Sequence, residues 1–317
     1  MIYCVNAIIL IIVATKKGDK IVQKKNYNVD KILTEICNKV EEGIKGDDKT
    51  KWMMPWHCAD FKLPTNVMNY EYQGLNTLWL WMVKEKVGYS SNQWGTYQQW
   101  TNIGGSVAGQ SATAHHQYIL QPTIIQDKED ETKTFTRWKT WAVFNRDQVS
   151  GLPDTPKVQP FECQYMLDDF HKHQAELFVK CTDAVINHGG DRAYYRPSED
   201  RIQMPEITKF KTDIEYYSTL FHELSHWSGA EKRLNRNLKG DRKQYAFEEL
   251  VAEMSACLLS AKLGISSAPT QNTIAYCQSW MQALKEKPKR IWDATSLAKN
   301  AVNYLSALQE EKLKRVA

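Results

Sequence analysis

The stretch "FHELSHWSG", residues 221–229, decides how this chain is read. His222 and His226 stand four apart with Glu223 between them, inside a segment otherwise patterned like a buried helix. Positions four apart lie on one face of an α-helix, so both imidazoles can be offered to a single metal ion. Glu223, one step round, can reach a water at that metal and act as a general base. Tyr217, Leu220, Leu224 and Trp227 form an apolar stripe that would pack the helix and leave the histidine face free. Gly229 suits the helix end. The alternative is a pair of histidines that merely sit satisfied in a core.

A catalytic zinc site takes a third protein ligand, usually from a second helix. The segment "YAFEELVAEMSACLLSAKLG", 245–264, offers Glu248, Glu249 and Glu253. Glu249 and Glu253 share a helical face one turn apart, whereas Glu248 points elsewhere and reads as an ordinary solvated charge. Spacing alone leaves both Glu248 and Glu249 open as the ligand. The arrangement resembles that of the glutamate-type zincins, in which the third ligand comes from such a helix and an acid four residues later braces a ligand histidine. That resemblance implies Glu249 as ligand and Glu253 as brace. The expected ion is Zn2+, although nitrogen and oxygen donors also accept Mn2+ or Co2+.

Length and composition set the frame. A chain of 317 residues is comfortable as two domains. Residues 1–26 carry five lysines against one aspartate, which accounts for the whole formal charge of +4. The remainder is balanced, so a nucleic-acid site must be a local patch rather than a globally basic surface. Cysteines at 4, 37, 58, 163, 181, 257 and 277 include no Cys-x-x-Cys pair, which argues for reduced thiols and a cytoplasmic setting. The apolar run Ile8–Val13 is far shorter than the roughly 20 residues that span a bilayer, and its lysines follow it, unlike those of a signal peptide. Residues 1–26 are therefore read as a poorly ordered apolar and basic leader, with no stable membrane association.

Helical spacing of Val29, Ile32, Leu33, Ile36 and Val40 predicts a helix to about Gly43. Further helices are expected in "YEYQGLNTLWLWMVKEK" (70–86) and "NQWGTYQQWTNIGG" (92–105). "QYILQPTIIQ" (117–126) and "TRWKTWAVFN" (136–145) alternate like strands. "SGLPDTPKVQP" (150–160), rich in proline, is the expected domain boundary. A helix near 164–187, a strand pair around "AYYRPSEDRIQMP" (193–205) and then mainly helices should follow.

The N-terminal part is rich in aromatic residues. Trp52, Trp56, Tyr72, Trp94, Tyr97 and Trp100 fall in loops and helix starts, with Lys51 nearby and the amides of Asn76 and Gln98 available. Single strands are bound by aromatic faces that stack bases and by cations that track phosphates. Aromatics in a small domain are more often core, and about half of these six are expected to be packed.

Several separate segments, in order, resemble the ArdC family of antirestriction proteins of plasmids and phages. They are "KWMMPW", "YQGLNTLWL", "WGTYQQW" and "WAVFNRDQVSGL", then "YYSTLFHELSHWSGAEKRLNR", "YAFEELVAEMSA" and "NTIAYCQSWMQAL". The resemblance runs from about residue 27 to 310. It implies an α+β chain: a small α+β single-stranded-DNA-binding domain over 27–155, then a mainly helical zincin-like metallopeptidase domain with a small sheet over 156–317. It also implies single-stranded DNA and a protein substrate, such as a restriction-system component, as partners. The chain departs from the family at "GGSVAGQSATAHH" (104–116), where members usually carry a basic turn; the missing cations weaken the expected phosphate contacts. A metallopeptidase proper, merely targeted by its N-terminal half, is the alternative function. A primase accessory is set aside because no primase-like catalytic region follows.

Overall fold

The computed structural model describes residues 62–107, 116–126, 134–153, 167–236, 238, 241–265 and 290–316. The leader, the expected helix ending near Gly43, the 272–284 segment and most of the expected boundary lie outside the described residues, as do Lys51, Trp52 and Trp56.

The first half is built on α1 (Leu75–Val87). It runs between Gly74 and Gly88, both at positive φ, and the Gly88 N–H caps the helix by donating to the Lys84 carbonyl. Leu75, Leu78 and every residue from Trp79 to Val83 are buried, so this helix is central rather than one-sided. Beside it, β3 (Gln117–Gln126) pairs antiparallel along its whole length with residues 134–143 of β4 (Thr134–Asn145). Pro122 interrupts β3 without penalty to the sheet, because β3 is an edge strand of the order β1-β4-β3. The other edge is β1 (Trp94–Gly95). It leads into α2 (Tyr97–Asn102), whose start is fixed by a reciprocal capping box between Thr96 and Gln99. A short pair, β2 (Ser106–Val107) with β5 (Val149–Ser150), closes this half.

The second half begins at α3 (Asp169–Cys181), capped by Asp168. This helix is shorter than the expected 164–187: Thr182 caps it, and Asp183 at φ +59° turns the chain into a strand, β6 (Val185–His188). Apolar residues in two short consecutive elements had imitated one longer period. The expected strand pair is present as β7 (Tyr194–Arg196) and β8 (Arg201–Met204), antiparallel, with β6 parallel to β8 on the other side. Three helices follow: α4 (Asp213–Ser228), capped by Thr212, α5 (Arg242–Lys262), capped by Asp241, and α6 (Arg290–Val316). The fold is thus α+β, with small sheets and, among the described residues, six helices. None of those helices is long and apolar enough to cross a membrane.

Two apolar clusters position α4 and α5. One gathers Phe178, Ile202, Met204, Leu220, Phe221, Leu224, Leu259 and Leu305 around α4. The other joins Leu75–Val83 of α1, Trp94, Leu120 and Val143 to Leu250, Val251 and Met254 of α5 and Ile291, Ala294 and Ala298 of α6. Each large side chain fully buried in this way contributes about 1.5–3 kcal/mol. The second cluster thus draws side chains from both halves of the chain, through α1, α5 and α6.

Candidate metal centre

The stripe expected to pack α4 does so: Tyr217, Leu220, Leu224 and Trp227 are all buried. The opposite face is not free, however. His222 and Glu223 are buried as well and His226 is half-buried, because α5 covers them. His222 Nε2 and His226 Nε2 lie 3.1 Å apart. Glu249 on α5 places one carboxylate oxygen 3.4 Å from His222 Nε2 and the other 3.4 Å from His226 Nε2. These are the three side chains that can offer ligand atoms to one ion among the described residues. Tetrahedral ligands at bonds of about 2.0–2.1 Å stand about 3.3–3.4 Å from one another, which is the spacing these atoms take. Glu249 Oε2 is buried and makes no hydrogen bond, as an oxygen reserved for a cation would.

Electrostatics point the same way. Burial opposes charge on both histidines, yet Glu249 and Glu253 raise His222 well above its ordinary pKa, and Glu248 and Glu249 push His226 up to about 9. Burial alone would raise Glu249, but the two histidines beside it hold it far below the carboxylate range. The cluster is an anionic, buried cradle that attracts positive charge. Glu223 differs from its neighbours. Burial raises its pKa, with the histidine charges and a backbone hydrogen bond from Tyr195 on β7 pulling the other way.

The residues behind these three side chains only partly match expectation. Glu253 Oε2 lies 3.3 Å from His222 Nδ1, the place expected of a brace. Glu248 is not the solvated charge that spacing suggested. It is buried, 3.3 Å from His226 Nδ1, and paired with Arg236 at 2.7 Å. The turn after α4 comes back under its last turn, which carries Glu248's partner into the interior. Arg236, Glu248 and the backbone of Tyr195 had no local signal, since each acts through a residue distant in sequence. Gly229 ends α4 with φ −77°, so backbone conformation does not require glycine there. Space does: a Cβ would stand 2.8 Å from Arg236 Nη2.

The expected DNA-contacting residues divide. Trp94 and Trp100 are fully buried, and the Trp100 indole donates to the Phe144 carbonyl at 3.1 Å. Tyr72 is half-buried, its hydroxyl 3.3 Å from the Trp94 carbonyl. Asn76 uses both ends of its amide on the Leu120 backbone. Tyr97 is 59% exposed, and exposed Gln98 donates to Asn102 at 2.7 Å. Trp141, not singled out from sequence, is also exposed on β4, with its indole donating to Gln121 at 2.8 Å. Strand alternation alone gave no reason to separate it from the buried tryptophans.

Comparison with known proteins matches the two halves separately. Residues 26–149 fit the family model of the N-terminal domain of anti-restriction factor ArdC, and residues 173–297 that of the zincin-like metallopeptidases. An uncharacterised protein, y4eC of Sinorhizobium fredii, is 31% identical over 89% of this chain and 92% of its own length. DNA primase TraC of Escherichia coli is 32% identical over 88% of this chain, which spans only 20% of that relative. The crystal structures of the antirestriction protein ArdC from plasmid R388, metal-free and Mn(II)-bound, are 31% identical with a TM-score of 0.73. The metal-free match covers 89% of this chain and 97% of the other.

Proposed function

Because the chain belongs to the ArdC family of antirestriction proteins, we propose that it protects DNA from restriction by joining single-stranded-DNA binding to a divalent-metal site of the zincin type. The observation that carries this reading is the convergence of His222, His226 and Glu249 at 3.1–3.4 Å beside a buried Glu223. His222, His226 and Glu249 would hold Zn2+, with Mn2+ or Co2+ as substitutes; a Mn(II)-bound relative supports a divalent ion. Such an ion, when bound, polarises a carbonyl and makes a nearby water acidic. Glu223 would accept a proton from a water beside it and return it to a leaving amine, and burial shifts its pKa upward toward this task. Glu253, 3.3 Å from Nδ1 of His222, would orient its ring.

On the first half, Tyr97 supplies an exposed face for a base, joined by Trp141, and Gln98 an amide at the rim. Lys51, Trp52 and Trp56, outside the described residues, complete the proposed contact set. Tyr72, Asn76 and Trp94 serve it from within, by holding the frame that presents Tyr97. The test is protection of an unmodified plasmid entering a restricting host. Wild type should raise its survival, and failure to do so overturns the reading. A second reading, hydrolysis of a DNA-bound restriction component, is favoured by the intact Glu223. Loss of protection in Glu223→Gln would select it, and retained protection would assign the effect to DNA binding.

A further inference from the structure

We propose that Arg236 and Glu248 form a buried positioning pair that sets the tautomer and angle of His226, an inference resting on the metal-site reading above. Arg236 reaches back beneath the last turn of α4. Its Nε lies 3.2 and 3.1 Å from the two Glu248 oxygens, and its Nη2 donates to Glu248 Oε1 at 2.7 Å. Nη2 also donates to the Ser225 carbonyl at 2.7 Å, and Nη1 to Ser228 Oγ at 3.1 Å. The guanidinium is thereby tied to the same helix that carries both histidines. Glu248 Oε1, the oxygen that takes the shortest arginine bond, is also the one 3.3 Å from His226 Nδ1. A carboxylate there keeps the proton on Nδ1 and leaves the Nε2 lone pair facing His222 and Glu249.

Two further features accommodate the arginine. Gly229 is the residue that leaves room for the Arg236 head. Asn235, just before Arg236, takes φ +48°, and the Arg236 N–H donates to the Gly229 carbonyl at 2.8 Å, which turns the side chain inward. With Glu253 behind His222, the single helix α5 thus supplies one ligand and a brace for each histidine.

The test is zinc binding by the full-length chain, by competition with a chromophoric chelator, together with the visible spectrum of the Co2+-loaded protein. Glu248→Gln keeps shape and must turn its amide nitrogen toward either Arg236 or His226. It should weaken zinc binding at least tenfold and alter the Co2+ spectrum. Arg236→Lys should do likewise, and the double variant should be no weaker than Glu248→Gln alone, since both act through one imidazole. Normal affinity and an unchanged spectrum in folded Glu248→Gln, with His226→Ala still abolishing binding, overturn the positioning pair and leave the metal reading intact. Absence of binding by wild type overturns the metal reading itself. Should Arg236→Lys fail to fold, Glu248→Gln decides alone.

Discussion

Asn76 and Leu120 are joined by two reciprocal hydrogen bonds: Asn76 Nδ2 donates to the Leu120 carbonyl at 2.8 Å, and the Leu120 N–H donates to Asn76 Oδ1 at 2.9 Å. The side-chain amide therefore acts as an extra strand residue, tying α1 to the free edge of β3. Asn76→Ala should lower stability by about 1–3 kcal/mol, since both backbone groups lose their partner. Urea denaturation checks this, and an unchanged midpoint would contradict the clamp.

Trp94 and Tyr97 stand three residues apart yet should fail in opposite ways. Trp94→Ala empties a fully buried site and should cost about 3–5 kcal/mol of stability. Tyr97→Ala should cost less than about 0.5 kcal/mol. It should still weaken single-stranded DNA binding by about 1–3 kcal/mol, with affinity falling as salt rises. A Tyr97→Ala protein with wild-type affinity in a filter-binding titration would remove Tyr97 from the interface.

Metal content separates the roles around α4. His222→Ala and His226→Ala should purify without metal, because two donors hold zinc poorly. Glu249→Ala should bind far more weakly. Glu223→Gln should keep metal and fold while losing any peptidase activity, since an amide cannot take the proton. Elemental analysis of the four variants checks the assignment, and full metal content in all of them would refute it.

Acidity should act on the same cluster. The Glu248 and Glu249 carboxylates outweigh burial to push His226 up to about 9, so protons compete for its ring throughout neutral pH. Metal uptake should release protons, and apparent affinity should climb with pH until about 9 and then level. The raised pKa stabilises the metal-free protein below that point and is lost as pH rises through it, so the gap in Tm between loaded and metal-free protein should widen toward alkaline pH. Calorimetry in two buffers of different ionisation heat measures the released protons; a flat affinity between neutrality and pH 9 would count against the scheme.

Gly229→Ala tests crowding rather than backbone strain. The new methyl would press on Arg236 and Leu238, both within 2.9 Å, and should cost about 1–3 kcal/mol. In a protein that already carries Arg236→Lys the same change should cost less, as Tm measurements on the four proteins of that cycle would reveal. Equal costs in both backgrounds would mean the contact does not limit this site.

The legible parts of the molecule were those whose physics is local. His222, Glu223 and His226 needed only the helical period, and the strands around Gln117 and Asn145 only their alternation. Glu248 and Glu249 differ by one step of about 100° on the same helix, and what distinguishes them is a guanidinium arriving from a turn twelve residues earlier. The aromatic residues carried the least local information. Trp94 and Tyr97 belong to the same short stretch, and only the packing of α1 and β4 decides that one faces inward. The over-long helix at 164–187 has the same origin, because Asp183 reverses the chain by a conformation that composition does not advertise.

The apolar cluster shared by α1, α5 and α6 bears on how such chains can be rearranged by recombination. A hybrid that took its first half from one relative and its second half from another would have to match Leu80 and Trp81 to a foreign set of partners around Leu250 and Ala294. Mismatch there would be felt by Glu248, Glu249 and Glu253, which ride on the same helix as Leu250. Substitution is therefore easiest at exposed positions such as Tyr97 and Trp141, and hardest along the seam that holds the two halves in common.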